Sequence, residues 1–232
     1  MKNFKTVFPA ALALLVSTQM GCSSQATPDY EGESLLDVQG SVSGAVASGG
    51  SVDAALAWAV GLGPEYVGLV SRVGVQGSFP QKFSLAVMAP PPSSSLVDPL
   101  LGSKLPYEGK VAAAWIVAIP STFSEGGAIP PASLAGAAPG HFIFYNERAF
   151  GPGSVLAGVF GGQISAGYHL MTARPYNTEE MKQIDACKAN ALATNGDPKP
   201  CQVTRLKIEP ATQNEQIELK LGPGAADLIP DL

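Results

Sequence analysis

Two histidines, His141 and His169, are the residues of this 232-residue chain best suited to acid–base or metal chemistry. Imidazole ordinarily gains and loses its proton between pH 5 and 8, and it is also a common metal ligand. Both residues fall in stretches that read as strands, so strand pairing could bring the two rings and one carboxylate to a shared cation. Histidines in strands more often satisfy a local hydrogen bond, and no metal site is expected. A hydrolase would need a nucleophile with its base and an oxyanion hole. The nearest nucleophile-elbow candidate, Gln163-Ile164-Ser165-Ala166-Gly167, lacks the first glycine, and Ser-x-x-Lys occurs nowhere. Gly61-Leu62-Gly63-Pro64 has neither the third glycine nor the lysine of a phosphate-cradling loop. Glu179 and Glu180 read as charges at a helix start, and Trp58, Trp115, Phe142 and Phe144 sit at core parity rather than on a sugar-stacking platform. The expectation is no catalytic residue and no cofactor.

The elements that must position these residues are mostly strands. Ser34 to Ser43, Val52 to Val60, Tyr66 to Gln76, Lys82 to Met88, His141 to Tyr145, Gly167 to Ala173, Gln202 to Ile208 and Gln216 to Leu221 carry β-branched, aliphatic or aromatic residues with full or partial alternation. Val111 to Ile119 is apolar throughout and reads as a central strand covered on both faces. The one clear helix begins at Asn177, where an Asn177/Glu180 capping box is expected, and stops at Asn195-Gly196. Its apolar stripe is narrow: Met181, Ile184 and Cys187 or Lys188. Ala89-Pro90-Pro91-Pro92 ends one ladder and opens a long loop to about Gly109. Ser121 to Gly140 has no steady period, and Gly151 to Gly162 reads as a glycine-rich link. Nine strands and one helix, with Gly at 26 and Pro at 20, indicate a mostly β chain. The expected fold is a single β-sandwich, immunoglobulin-like or a related Greek key, with one short helix tethered by a disulfide.

The first residues supply an address. Lys2 and Lys5 precede an apolar run, Val7 to Val16, that is half the roughly twenty residues needed to span a bilayer. A polar break then leads to Met20-Gly21-Cys22. This resembles the lipobox of bacterial lipoprotein signal peptides, although that family prefers Leu where this chain has Gln19. The resemblance implies a cleaved leader at 1–21, lipid on the Cys22 thiol, and a flexible polar tether over 22–33 before the β domain at 34–232. Ser23 rather than Asp after the cysteine implies sorting to the outer membrane of the cell envelope. Two or three acyl chains, palmitate among them, would hold essentially permanently, since each buried methylene contributes about 0.8 kcal/mol.

With Cys22 assigned to lipid, Cys187 and Cys201 form an even pair in an oxidising compartment, the setting in which a disulfide is expected. Such a bridge would constrain the unfolded chain by about 3 kcal/mol. The order Y-x-G-E-S-L-L … G-S-V from Tyr30, A-L-A-W from Ala55, V-Q-G-S-F-P-x-x-F from Val75, the proline triplet and the late paired cysteines resembles a group of uncharacterised β-rich lipoproteins of myxobacteria and relatives. An acidic loop of some relatives falls here on Ser121 to Ala128, where only Glu125 is acidic, so no calcium role is carried over.

The chain is 46% hydrophobic and 14% charged, enough apolar material for a core. Its net charge of −5 and fourteen scattered Lys and Arg argue against nucleic acid as a partner. The expected function is therefore that of a non-catalytic envelope lipoprotein. Its partners would be the membrane, reached through the lipid anchor, and envelope proteins meeting the loops at 93–109 and 121–140. The alternative is a small-molecule or glycan-binding module.

Overall fold

The computed structural model describes residues 34–46, 50–61, 65–67, 72–75, 78–99, 109–123, 127–151, 155–194, 205–212 and 215–229. Contacts divide the chain into two compact units, Met1–Glu31 and Gly32–Leu232, and every described residue belongs to the second. The leader, Cys22 and Cys201 lie outside the described residues. No described helix is long and apolar enough to cross a membrane.

The described body is mostly β, built on one large sheet. Its strands are β1 (Leu36–Ser43), β2 (Val52–Ala59), β3 (Tyr66–Val67), β4 (Arg72–Val75), β5 (Gln81–Val87), β6 (Val111–Pro120), β7 (Ala128–Ile129), β8 (Gly136–Asn146), β9 (Gly167–Arg174), β10 (Lys207–Pro210) and β11 (Ile217–Leu221). Two helices, α1 (Val155–Val159) and α2 (Thr178–Ala193), accompany them. The hydrogen-bonded order is β5-β1-β11-β8-β6-β2-β3-β7, with β4 also on β2, β9 also on β8, and β10 on β9. Pairing is antiparallel except between β1 and β11, which run parallel with Gly40 opposite Ile217.

Strands β2 and β6 are buried along almost their whole length, which is why they carry alanine where a half-exposed strand would carry polar residues. Even positions of β2 (Val52, Leu56, Trp58) join Val38, Val42, Leu85, Ile116, Ile143, Ile217 and Leu219 in one cluster. The opposite parity of β2 and β6 (Ala55, Ala57, Ala113, Trp115, Val117) joins Phe142, Phe144, Phe150, Phe160, Ile164 and Met171 in a second. Small side chains on these shared strands let both layers approach closely, and bulk comes from the covering elements. Fully burying each Val, Leu, Ile or Phe contributes about 1.5–3 kcal/mol, so these two clusters dominate stability. The first cluster draws on β5 and β1 at one end of the order and on β2 and β4 further along, and β4 packs beside β5.

Several sequence expectations need correction. The single strand expected over Tyr66 to Gln76 is met by β3 and β4, both laid on β2, with 68–71 and 76–77 outside the described residues. Ser121 to Gly140 is not structureless: it contains β7, a 3-10 turn at Pro131–Ser133 and the first half of β8. These elements take backbone hydrogen bonds from β3, β6 and β11, a long-range pairing that no local period announces. The glycine-rich link after Gly151 holds α1. The strand expected over Gln202 to Ile208 lies two residues later at its end, at β10, and 201–204 fall outside the described residues.

Helix α2 has the expected cap. Asn177 Oδ1 accepts from the Glu180 backbone N–H at 2.9 Å, and the Glu180 carboxylate accepts from the Asn177 N–H at 2.9 Å. Its apolar stripe is not buried as a helix face usually is: α2 has no buried residue, and Met181 is 41% exposed.

Candidate functional site

Strand β8 changes partners in mid-course. Gly136 and Ala137 face Leu221 and Lys220 of β11, whereas His141 to Asn146 face Thr172 to Gly167 of β9. The exchange happens at Pro139-Gly140. Proline has no N–H to give to a ladder. Gly140 takes the left-handed φ of +68°, and a Cβ there would come within 2.8 Å of the Ala173 carbonyl oxygen. The divergence leaves a fork between the β9–β10 pair and the residues that lead into β11, and a cavity of about 380 Å³, lined by Pro139, His141, Thr172, Glu209, Thr212 and Glu215 among others, occupies it.

His141 spans the fork. Its Nδ1 lies 3.0 Å from the Pro139 carbonyl oxygen and its Nε2 lies 2.8 Å from Glu215 Oε1. Glu215 Oε2 accepts further bonds from the Thr212 backbone N–H and hydroxyl, each at 2.9 Å. The bond from His141, with the Thr212 donors beside it, holds the Glu215 carboxyl below the usual carboxylate range. The pair stands in for the ladder bonds that β8 and β11 no longer share.

One wall of the fork continues into a four-charge cluster. Arg174 meets Glu180 with two bonds of 2.8 Å and Glu209 with one of 3.2 Å, while Lys207 Nζ lies 2.8 Å from both carboxylates. Arg174 first, then Lys207 and the Asn177 N–H, hold the Glu180 carboxyl well below the usual range, and Lys207 does the same for Glu209. The same pairing raises Arg174 and Lys207. The cluster fastens the amino end of α2 to β9 and β10, which a helix without buried side chains requires. Solvent screens these exposed pairs, so they set the position of α2 rather than the stability of the body.

Acid is therefore expected to release α2 before the sheet. Glu180, Glu209 and Glu215 have folded-state pKa values below the unfolded value of about 4.3. Their contribution is present above that value and is lost as pH falls through the folded ones. Hydrogen exchange across an acid series should show α2 amides losing protection while β2 and β6 amides keep theirs. Simultaneous loss everywhere would refute the clamp.

A second polar cluster lies at the far end of β2. Asp53 is buried, yet Arg72 Nε donates to its Oδ2 at 2.6 Å, the Arg72 Nη2 also meets Oδ2, and Ser121 Oγ donates to its Oδ1 at 2.8 Å. Arg72 spends its remaining donors on the Phe123 and Ser121 carbonyl oxygens at 2.9 and 3.1 Å. This is a latch between β2, β4 and the turn after β6.

No family model, curated protein or solved structure matches this chain.

The residues singled out in the sequence scatter. His141 and His169 stand three register positions apart and at opposite parity, opposite Thr172 and Phe144 respectively, so the pleat sends them to opposite faces. His169 Nε2 lies 2.8 Å from the Ser165 carbonyl oxygen, and no group of His, Cys, Asp or Glu able to hold a metal occurs among the described residues. Ser165 serves through its backbone: its carbonyl oxygen also accepts from Asn146 Nδ2 at 2.8 Å. Glu179 is exposed, 3.6 Å from Lys182 Nζ, whereas Glu180 carries the clamp. Trp58, Trp115, Phe142 and Phe144 are core residues. Cys187 is exposed on α2. Sequence reading missed Glu215, Arg174, Glu209 and the Asp53–Arg72 latch. Two signals pointed to them: Pro139-Gly140 directly before a strand, and one carboxylate inside the apolar run from Val52.

Proposed function

We propose that this chain is an envelope lipoprotein without catalytic chemistry of its own, anchored through lipid at Cys22, whose β-rich body serves as an interaction or structural domain. The observation that carries the proposal is the state of the fork. Its one imidazole has both nitrogens committed to acceptors, and its carboxylates and cations are committed to each other. Such groups hold strands and a helix in place, whereas a general base needs a lone pair directed at a substrate.

The anchor reading rests on the charged, apolar and lipobox segments of the leader and on the tether at 22–33. Ser23 supports the outer membrane as destination. A bridge between Cys187 and Cys201 would give α2 a covalent hold where it has no buried side chain. It is supported by the even pair that Cys187 and Cys201 make once Cys22 is assigned to lipid. A sandwich-like arrangement of the sheet is supported by the cluster that joins β1, β5 and β11 to β2 and β6. Membrane lipid and envelope proteins are the partners this reading implies. Nucleic acid is not, because Arg72, Arg174 and Lys207 are spent on internal carboxylates and the chain carries a net charge of −5.

The second reading, a small-molecule or glycan-binding module, is favoured by the cavity at the fork. Metabolic labelling with a palmitate analogue tests the first. Wild type should be labelled and sediment with membranes, while Cys22→Ser should be unlabelled and soluble. Equal labelling of the two would falsify the anchor.

A further inference from the structure

The cavity at the fork has a chemical bias that narrows what could fill it, and the narrowing rests on the glycan-or-small-molecule reading above. Its volume of about 380 Å³ lies within the range of small-ligand sites, roughly 300–1,000 Å³. Donors along its walls are nearly all spent inside the protein. His141 sets its ring nitrogens 3.0 Å from the Pro139 carbonyl oxygen and 2.8 Å from Glu215, Thr172 Oγ1 donates to the Glu209 carbonyl oxygen at 3.2 Å, and Thr212 Oγ1 donates to Glu215 at 2.9 Å. Arg174 directs its N–H groups to Glu180, Glu209 and the Pro175 carbonyl oxygen.

Acceptors are in surplus. A carboxylate has about four lone-pair positions and a hydroxyl oxygen two. Glu209 uses its side-chain oxygens on Arg174 and Lys207, Glu215 uses its own on His141 and Thr212, and the two threonine oxygens keep their lone pairs. A ligand must therefore bring donors. An anion such as phosphate brings mostly acceptors, and the cations it would seek are neutralised. An ammonium ion would meet carboxylates that already have cationic partners. A neutral ligand bearing several hydroxyls matches what is left, with Pro139 and Pro210 offering C–H surface to its ring edges.

We propose that the fork between β8, β9 and β11 binds a neutral, hydroxyl-rich ligand of the saccharide class, with Thr172, Thr212 and Glu209 accepting from its hydroxyls. No aromatic ring is among the described residues that line the cavity, so the binding expected is weak.

The test uses the full, acylated chain in a detergent without a sugar headgroup, followed by amide NMR. It is titrated separately with N,N′-diacetylchitobiose, inorganic phosphate and methylammonium. The disaccharide should shift amides at 139–141, 171–174 and 209–212, and the two ions should not. Thr172→Val with Thr212→Val should weaken the response by at least about tenfold, the factor that even one lost hydrogen bond implies, while amide shifts of β2 and β6 stay in place. Should that pair fail to fold, Glu209→Gln replaces it, with the same weakening expected. Saccharide shifts that map elsewhere would sink this site and leave the glycan reading standing. An absence of saccharide shifts anywhere would remove both. A stronger response to either ion overturns the neutral-ligand assignment.

Discussion

Replacing Arg72 by Met is expected to destabilise the fold by about 3–5 kcal/mol, the usual effect of stripping the partner from a buried charge. Asp53 is 6% exposed, and Arg72 supplies two of the donors that reach its carboxylate. Ser121 Oγ alone would remain. The loss should persist in high salt, because buried pairs are screened little. Asp53→Val combined with Arg72→Met should recover part of it, since it removes the unpaired carboxylate but leaves the Phe123 and Ser121 carbonyl oxygens without their Arg72 donors. Urea midpoints at constant slope measure both effects. A single-mutant loss under about 1 kcal/mol would show that Asp53 is solvated, against the buried-latch account.

The second large effect concerns Trp58. Its side chain is fully buried, packs edge-on to Tyr168 at 6.1 Å between ring centroids, and leaves its indole N–H without a partner among the described residues. Trp58→Ala should cost about 3–5 kcal/mol through the cavity it leaves. Trp58→Phe should cost much less than the lost volume suggests, because it also removes an unpaired buried donor that itself costs about 1–3 kcal/mol. Thermal or urea denaturation of the two variants separates the contributions. Equal losses would mean that the N–H is satisfied in solution. Tyr168 belongs to the same packing: burial, with Tyr145 beside it, raises its phenol, whose hydroxyl donates to the Ala89 carbonyl oxygen at 2.7 Å. That bond pins the start of the proline run that the sequence marks as the end of a ladder.

What could be read in advance follows from how far each signal reaches along the chain. β5 and β11 were legible because one face is buried and the other wet: Phe83, Leu85 and Val87 alternate with exposed residues, as do Ile217, Leu219 and Leu221. The cap of α2 was legible because Asn177 and Glu180 are three residues apart. β6 was legible from its unbroken apolar run. In contrast, β7 and the opening of β8 are held by bonds to partners far away in sequence, and Gly136-Ala137-Ala138-Pro139-Gly140 carries no period of its own. Gly40 lies inside β1, where a glycine ordinarily weakens a strand. It is a close approach: a Cβ there would overlap the Ile217 carbonyl oxygen and lie 2.8 Å from the Phe83 ring.

The candidate site divides the same way. His141 was visible as chemistry but its partner was not, because Glu215 is 74 residues further on and is brought over only by the strap between β10 and β11. The convergence of His141 with His169 fails on the pleat, which a three-residue offset between paired strands turns to opposite faces.

By itself, the sequence determined the mostly β character, the helix with its cap, and which strands would carry a core, since these depend on residues a few positions apart. Tertiary structure alone decided the mixed strand order, the partner exchange at Pro139-Gly140, and the pairing of Glu215 with His141 and of Arg72 with Asp53. Each of those depends on which distant strand lies alongside, a choice made by burying two apolar clusters at once on the shared strands β2 and β6.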